Sequence, residues 1–270
     1  KMNFLESHSA AQRVRELSLR LVHKAKASHI GSALSIADLL AVMISNPQIY
    51  NLPSSDDPNR DRLLLSKGHA CVALYSALCI KGFFGVDDLM SYGNDFSPFM
   101  NHASHFVPGV EISTGALGHA LPIGCGKALA ARSKGETWHT FVVTSDGELQ
   151  EGSNWEALMF AAHHSLSNLT VIIDYNNLQS LTTVDDTLSL SPLDQKLSSF
   201  GWNAVIVDGH CHESLSQALH TSKSSTVPSA IIMNTTKGKG ISFMENKVPW
   251  HYKSPNDDEL NSAIKEIYHQ

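Results

Sequence analysis

The chain has 270 residues, of which 42% are hydrophobic, and a formal net charge of −6. A chain of this length and composition can bury a large core. The slight acidity gives no electrostatic argument for a nucleic-acid partner, and no apolar run in the sequence is long enough to cross a bilayer.

The amino-terminal part of the sequence predicts two helices, one strand and a long loop. Apolar residues recur at helical spacing from residue 10 to residue 21, and Ser35 is positioned to cap a second helix that runs to about Ile44. A short strand is expected at 63–65. Residues 82–108 are irregular and rich in aromatic residues, and long loops of this kind often form active-site walls.

The rest of the sequence predicts an alternation of helices and strands. A helix is expected over 116–132, where Pro122 is tolerable only in the first turn. The apolar stripe of a later helix consists of Trp155, Leu158, Met159 and Ala162. A final helix follows the capping sequence SPNDDEL. The other strands are expected at 141–144, 169–174, 204–207 and 230–233. This order predicts one α/β domain with a doubly wound, mostly parallel sheet flanked by helices.

Two polar side chains follow apolar strands thirty positions apart, Asp146 after FVVTS and Asn176 after LTVIIDY. Because ligands of an open α/β sheet bind outside the carboxyl ends of its strands, both side chains should converge on one crevice. With a backbone carbonyl near Leu178 they form an all-oxygen set, which suits Mg²⁺, with Ca²⁺ or Mn²⁺ as substitutes. Mg²⁺ usually takes its other ligands from water and phosphates, so a phosphate-bearing cofactor is implied. The structural alternative is a helix cap at Asp146 and a turn residue at Asn176.

The sequence SDGELQEG, followed at this distance by NN, resembles the thiamine diphosphate motif, usually GDG followed by N or NN. Four other segments resemble, in order and spacing, the amino-terminal third of transketolases: KASHIGSALSIADLL (26–40), RDRLLLSKGHACVALYSAL (60–78), PGVEISTGALGHAL (108–121) and TKGKGISFMENKVPWH (236–251). The resemblance covers nearly the whole chain. It implies one subunit of a split transketolase, with the diphosphate-binding domain over 1–270 and without the pyrimidine-binding and third domains.

The resemblance implies that a two-carbon ketol unit is transferred from a ketose to an aldose with thiamine diphosphate and Mg²⁺. The implied metal ligands are Asp146, Asn176 and Leu178. The implied cofactor-binding residues are His69, Gly115, Leu117, Ser145, Asp146, Gly147, Glu151 and Asn176. Glu151 resembles a glutamate at the subunit interface that contacts the cofactor-activating glutamate of the partner; the alternative is a helix charge favoured by the dipole.

Four histidines match transketolase active-site histidines, and these are His29, His69, His102 and His251. In the family such imidazoles line the channel to the reactive carbon. Their ordinary pKa, ~6.5, suits proton transfer during carbon–carbon cleavage. Taken singly, each histidine would be expected to cap a helix or fill the core.

The sequence departs from the family pattern in three places. Ser145 replaces the first glycine of GDG, and GALGHAL carries His119 and Ala120 where Gln and Gly are commoner. The loop NNLQSLTT lacks the usual IDG-like ending. The proposed metal pair is intact, so we expect cofactor binding to be retained.

The resemblance also implies a partner subunit with the pyrimidine-binding domain, an α2β2 assembly, and sugar or sugar-phosphate substrates. No nucleic-acid or membrane partner is expected. The four cysteines, at 71, 79, 125 and 211, lack CxxC spacing, and the amino terminus lacks the apolar core of a signal peptide. The cytoplasm is therefore the expected location.

Other functions remain open at this point. One is a specialised ketol or acyl transfer in a secondary pathway, or decarboxylation of a 2-oxo acid, although the motifs of 2-oxo-acid dehydrogenases do not resemble SHIG or KGHA. Another is a non-catalytic scaffold subunit. A third is a nucleotide-dependent oxidoreductase, suggested by GCGKALA at Gly124, but that segment follows a helix instead of a strand.

Overall fold

A five-stranded parallel sheet forms the centre of the protein, described for residues 4–269 in a computed structural model. The strands are β1 (Arg62–Leu65), β2 (Thr140–Ser145), β3 (Leu169–Tyr175), β4 (Asn203–Asp208) and β5 (Ser229–Asn234). Their order across the sheet is β1-β2-β3-β5-β4, and every neighbouring pair is parallel. The prediction of an α/β fold with a parallel sheet is confirmed.

Helices cover both faces of the sheet. They are α1 (Leu5–Ala25), α2 (Ile30–Leu34), α3 (Ala37–Ser45), α4 (Cys71–Ile80), α5 (Val86–Leu89), α6 (Ala120–Lys134), α7 (Gly152–His163), α8 (Val184–Leu188), α9 (Leu193–Ser199), α10 (His212–Lys223) and α11 (Asp257–Tyr268). One core cluster packs α1, α3, α4, α10 and α11 against the sheet, and the other packs α6, α7 and α9. The doubly wound arrangement follows from these two cores.

The apolar strands read as continuous hydrophobic runs because both faces of the sheet are buried. Successive side chains of a strand point to opposite faces. Phe141 and Ile231 thus belong to the first core, whereas their neighbours Val142 and Ile232 belong to the second.

Two local predictions are wrong. Ser35 does not cap the start of a helix, since α3 begins at Ala37 and Ile36 occupies its N-cap position without a side-chain bond; Ser35 is instead the C-cap residue of α2. The Ser35 hydroxyl instead donates to the buried carboxylate of Asp174 at 2.6 Å. Met159 is 52% exposed, whereas Leu158 is fully buried. The face of α7 that packs inward is therefore rotated away from Met159.

The helix predicted over 116–132 begins four residues later, at Ala120. The preceding turn contains Gly118 at φ +82°, a left-handed conformation that interrupts a right-handed helix. Pro122 lies in the first turn, as predicted. The predicted cap of α11 is confirmed, since Asn256 and Glu259 exchange side-chain to backbone bonds of 2.9 Å.

The dinucleotide-like glycines do not form a phosphate loop. Gly124 lies inside α6, and a Cβ there would come within 2.5 Å of Val142 on β2. This glycine therefore serves helix-to-sheet packing. None of the helices within residues 4–269 is both long and apolar enough to cross a bilayer. The four cysteines are free thiols.

Candidate active site

The carboxyl ends of four strands meet at one edge of the sheet, because the strands are parallel. Lys67 follows β1, Asp146 follows β2, Asn176 follows β3 and Lys237 follows β5. A cavity of about 280 Å³ opens at this edge. Of the residues predicted for the site, its walls include His69, Leu117, Ser145, Asp146, Gly147, Asn176, Leu178 and His251.

Asp146 is buried, with 2% of its surface exposed. One carboxylate oxygen accepts the Gly147 N–H at 2.7 Å, and the other accepts the Asn177 N–H at 2.6 Å. Burial, and then the negative charge of Asp174, raise the pKa of Asp146 to about 6. Burial and the charge of Asp174 disfavour the ionised form of the Asp146 carboxylate. A bound cation would stabilise that form.

The Asn176 amide is oriented by its neighbours. Its Nδ2 donates to Asp174 at 3.2 Å, and its Oδ1 accepts the Leu178 N–H at 3.0 Å. Leu178 lines the same cavity, and its carbonyl accepts from the ammonium group of Lys237, another lining residue. Carboxylate, amide and carbonyl oxygens thus line one space, which fits a hard divalent cation and a phosphate-bearing group. Among residues 4–269, no three His, Cys, Asp or Glu side chains gather as a metal site.

Two lysines that the sequence did not single out face this cavity. Lys237 Nζ donates to the carbonyls of Leu178 at 3.0 Å and Gln179 at 3.1 Å, and lies 2.9 Å from His251 Nδ1. Lys67 Nζ donates to the Ser32 carbonyl at 3.1 Å and pairs with Asp174. Burial, and then the charge of Lys67, lower the pKa of Lys237 to about 8. The only available signal was that both lysines belong to matched segments, SKGHA and TKGKG.

The structure brings the four predicted histidines together. The His29 ring centroid is 5.1 Å from that of His69, 6.0 Å from His102 and 4.9 Å from His251. His29 has a left-handed backbone at φ 69°, and its N–H donates to the His251 carbonyl at 2.7 Å. Its buried Nδ1 has no hydrogen-bond partner within the described chain.

Three of these histidines, His29, His69 and His251, are neutral at physiological pH. Burial, reinforced by nearby positive charge, lowers the pKa of His29 to about 4, that of His251 to about 3, and that of His69 well below its usual value. A neutral imidazole carries one donor and one acceptor nitrogen. The cluster can therefore hold hydroxyl groups through neutral imidazole nitrogens.

Two glutamates of the SDGELQEG motif have different environments. Glu148 is fully buried, and its carboxylate accepts from the Ser66 hydroxyl, from the Gly118 N–H at 2.8 Å and from the Ser145 N–H at 3.3 Å. Sequence reasoning missed this residue. Glu151 is exposed at the start of α7 and does not line the cavity.

Gly115 and His102 lie beside the cavity instead of forming its wall. A Cβ on Gly115 would come within 3.1 Å of the His102 ring. The predicted residues therefore fall into two groups. Those named above as wall residues line the cavity, whereas His29, His102, Gly115 and Glu151 do not.

Comparison with known proteins assigns this arrangement to a family. Residues 6–269 match the family described as "Transketolase, thiamine diphosphate binding domain". The chain belongs to the transketolase family. The predicted membership is therefore confirmed.

Similar proteins include the corresponding subunits of split transketolases. The chain is 39% identical to one subunit of the apulose-4-phosphate transketolase of Actinobacillus succinogenes, over 88% of this chain and 87% of that one. It is 33% identical to the 6-deoxy-6-sulfo-D-fructose transketolase subunit SqwG of a Clostridium species, over 94% and 93%. These matches confirm the prediction of a transketolase-type transferase subunit that works with a partner.

A solved transketolase has the same fold. The transketolase of Campylobacter jejuni superposes with a TM-score of 0.91 at 31% identity, over 99% of this chain. The chain spans 43% of that protein.

Proposed function

We propose that this chain is the diphosphate-binding subunit of a split transketolase, which transfers a two-carbon ketol unit from a ketose to an aldose with thiamine diphosphate and a divalent metal. The observation that carries the proposal is the convergence of Asp146, Asn176 and the Leu178 carbonyl on one cavity beside a histidine cluster. A scaffold subunit would have no need of this donor set.

The metal roles are assigned by donor chemistry. Asp146, Asn176 and the Leu178 carbonyl would hold Mg²⁺, or Ca²⁺ or Mn²⁺ in its place. Lys237 adds positive charge on the same wall, which favours an anionic diphosphate, whereas the charge of Lys67 is paired with Asp174. The Lys237 ammonium donates to the Leu178 carbonyl at 3.0 Å. It thus already satisfies an oxygen proposed as a metal ligand.

The proposed cofactor contacts follow the walls of the cavity. Gly147 and Ser145 line the cavity and would contact the diphosphate, and the Ser145 hydroxyl oxygen accepts the Glu148 N–H at 3.3 Å. The hydroxyl hydrogen can therefore be donated to a phosphate oxygen. His69, Leu117 and Gly115 would contact the rest of the cofactor.

A partner is needed to complete the site. The two relatives described above are named as subunits of transketolases. We therefore assign the pyrimidine end of the cofactor to a second subunit, in an α2β2 complex. Exposed Glu151 would meet that partner.

The histidines act on the substrate. When bound, thiamine diphosphate supplies the electron sink for carbon–carbon cleavage. His29, His69, His102 and His251 would bind the donor hydroxyls. Because burial lowers the pKa of His29, His69 and His251, these rings stay neutral and suit hydrogen bonding to hydroxyl groups better than proton uptake.

The substrates would be sugars with an anionic end. The two relatives described above are named for a sugar phosphate and a sulfonated sugar. Residues that recognise that end are expected on the partner. The four free thiols favour a cytoplasmic location.

The test is to purify the tagged chain from its source cells with Mg²⁺ and thiamine diphosphate, then measure bound cofactor and ketol transfer. We expect one stoichiometric partner and one cofactor per chain. Asp146→Ala should abolish bound cofactor and activity, whereas Asp258→Asn, at an exposed position on α11, should change neither. A complex that contains the partner but no cofactor would overturn the proposal and leave a scaffold subunit.

A further inference from the structure

The segment 235–240 follows β5 and carries Lys237 into the active-site cavity. On its far side it contacts a buried polar cluster made of Arg15, Asp38, His210 and His212. This cluster borders a second cavity, of about 340 Å³, that contains none of the proposed catalytic residues. The proposed function therefore assigns no role to this cluster.

Asp38 is the centre of the cluster. Its side chain is buried, and its carboxylate accepts from Arg15 Nη1 at 3.0 Å and Nη2 at 2.5 Å, from His210 Nδ1 at 2.8 Å and from His212 Nε2 at 3.1 Å. Burial acts to raise the pKa of Asp38, but Arg15 and the two imidazoles together hold it well below its usual range. An ionised carboxylate only accepts hydrogen bonds, so both imidazoles donate to it.

His210 joins this carboxylate to the segment. Its Nε2 lies 2.8 Å from the backbone nitrogen of Thr236, whose N–H can only donate. Nε2 is therefore the acceptor, and the ring is a neutral imidazole with its hydrogen on Nδ1. In that tautomer one ring bonds both Asp38 and Thr236.

Arg15 contacts the segment on the other side of Lys237. Its Nε donates to the Lys239 carbonyl at 3.1 Å, while its two Nη atoms bind Asp38. Thr236 and Lys239 flank Lys237 in the sequence, and each is held by a group bonded to the same carboxylate. The backbone that carries Lys237 is thus fixed before and after that residue.

Lys237 needs such a restraint. It shares its cavity with Lys67, and the two like charges repel each other. A lysine side chain is also flexible and loses rotamer freedom when held. A fixed backbone limits the alternative places for its ammonium group.

We propose that His210 and Asp38 are positioning residues that hold Lys237 in the active-site cavity. His210 acts through the Thr236 N–H. Asp38 acts on the Lys239 carbonyl through Arg15. The inference rests on the proposed function only in assigning the cofactor diphosphate to Lys237.

The first test measures the segment directly, in the full chain without cofactor. His210→Ala should speed hydrogen exchange at the Thr236 amide by about tenfold or more, as expected when its acceptor is lost. His212→Ala is the matched control, since the hydrogen bonds of the His212 ring are to Asp38 and Ser7. Nitrogen-15 spectra of the wild-type chain should show His210 protonated at Nδ1 and unprotonated at Nε2.

The second test is a double-mutant cycle on thiamine diphosphate affinity in the partner complex with Mg²⁺. His210→Ala should weaken binding by about tenfold. In a Lys237→Ala background it should have no further effect, because it acts through that lysine. His210→Gln should restore much of the affinity, since its amide can donate to Asp38 and accept from Thr236.

The proposal is overturned if His210→Ala leaves Thr236 exchange unchanged, if the ring carries its hydrogen on Nε2, or if the effects of His210→Ala and Lys237→Ala add. If His210→Ala does not fold, the wild-type spectrum and His210→Gln still decide the question. A wild-type complex that binds no cofactor would refute the proposed function, while exchange and tautomer would still test this inference.

Discussion

Lys67 and Asp174 form an ion pair in which the two side chains are 1% and 0% exposed. Burial acts to raise the pKa of Asp174, but the charge of Lys67 and hydrogen bonds from Lys67, Ser35 and Thr235 together lower it. The same carboxylate accepts from the Asn176 amide. One buried charge therefore orients a lysine and a proposed metal ligand.

Removing this carboxylate should be costly. Asp174→Ala leaves the Lys67 charge buried without a partner and releases the Asn176 amide, so we expect a loss of ~3–5 kcal/mol in the free energy of unfolding. Urea denaturation of the full chain measures it. Arg20→Ala, which removes a half-exposed partner of Glu16, should cost at most about 1 kcal/mol. Similar costs for the two variants would refute the structural role of Asp174.

Truncation of the two motif glutamates should affect different properties: stability for Glu148 and activity for Glu151. Glu148→Ala leaves the Gly118 and Ser145 N–H groups without their acceptor, so we expect ~1–3 kcal/mol lower stability of the isolated chain. Glu151→Ala, at an exposed site, should change that stability by less than ~0.5 kcal/mol. In the partner complex, Glu151→Ala should lower ketol-transfer activity. An active Glu151→Ala complex would place the partner contact elsewhere.

Two glycines of α6 provide a matched pair for packing. A Cβ at Gly124 would lie 2.5 Å from Val142 Cγ2, whereas a Cβ at Gly126 would meet nothing within 4 Å. Gly124→Ala should therefore destabilise the protein by ~1–3 kcal/mol, because α6 must shift from the sheet. Gly126→Ala should stabilise it by ~0.5–1 kcal/mol through better helix propensity. Thermal unfolding of both variants checks the prediction, and equal shifts would contradict it.

His139 should contribute to acid sensitivity. It is buried with Nε2 2.7 Å from Thr170 Oγ1, and burial lowers its pKa to about 4. Below its ordinary pKa of ~6.5 the unfolded chain binds a proton that the folded chain does not. The part of the free energy of unfolding that depends on neutral His139 is thus fully present above pH ~6.5. It is lost as the pH falls toward 4, by about 3 kcal/mol in all.

Stability measured against pH for His139→Gln tests this origin. The variant should lose less stability than the wild type between pH 7 and pH 4. His220→Gln, at an exposed position on α10, is the control and should follow the wild type. Parallel curves for all three proteins would show that His139 does not cause the acid loss.

The sequence by itself determined the elements, the family and the edge of the sheet where the site forms. Apolar runs and glycine-containing motifs are local patterns, and parallel strands place their carboxyl ends together. Asp146 and Asn176 could therefore be assigned to one crevice before any contact was known. The positions of five strands followed from the same local signals.

Only the tertiary structure decided which polar side chains meet. The Ser35 hydroxyl reaches a carboxylate 139 positions away, and Lys67 reaches the same carboxylate over 107 positions. The His210 imidazole meets Asp38 over 172 positions. No local pattern specifies such pairs, because a buried polar group bonds whichever partner the packed elements bring to it. Ser35 was therefore predicted as a helix cap, and Lys67, Glu148 and Lys237 were passed over.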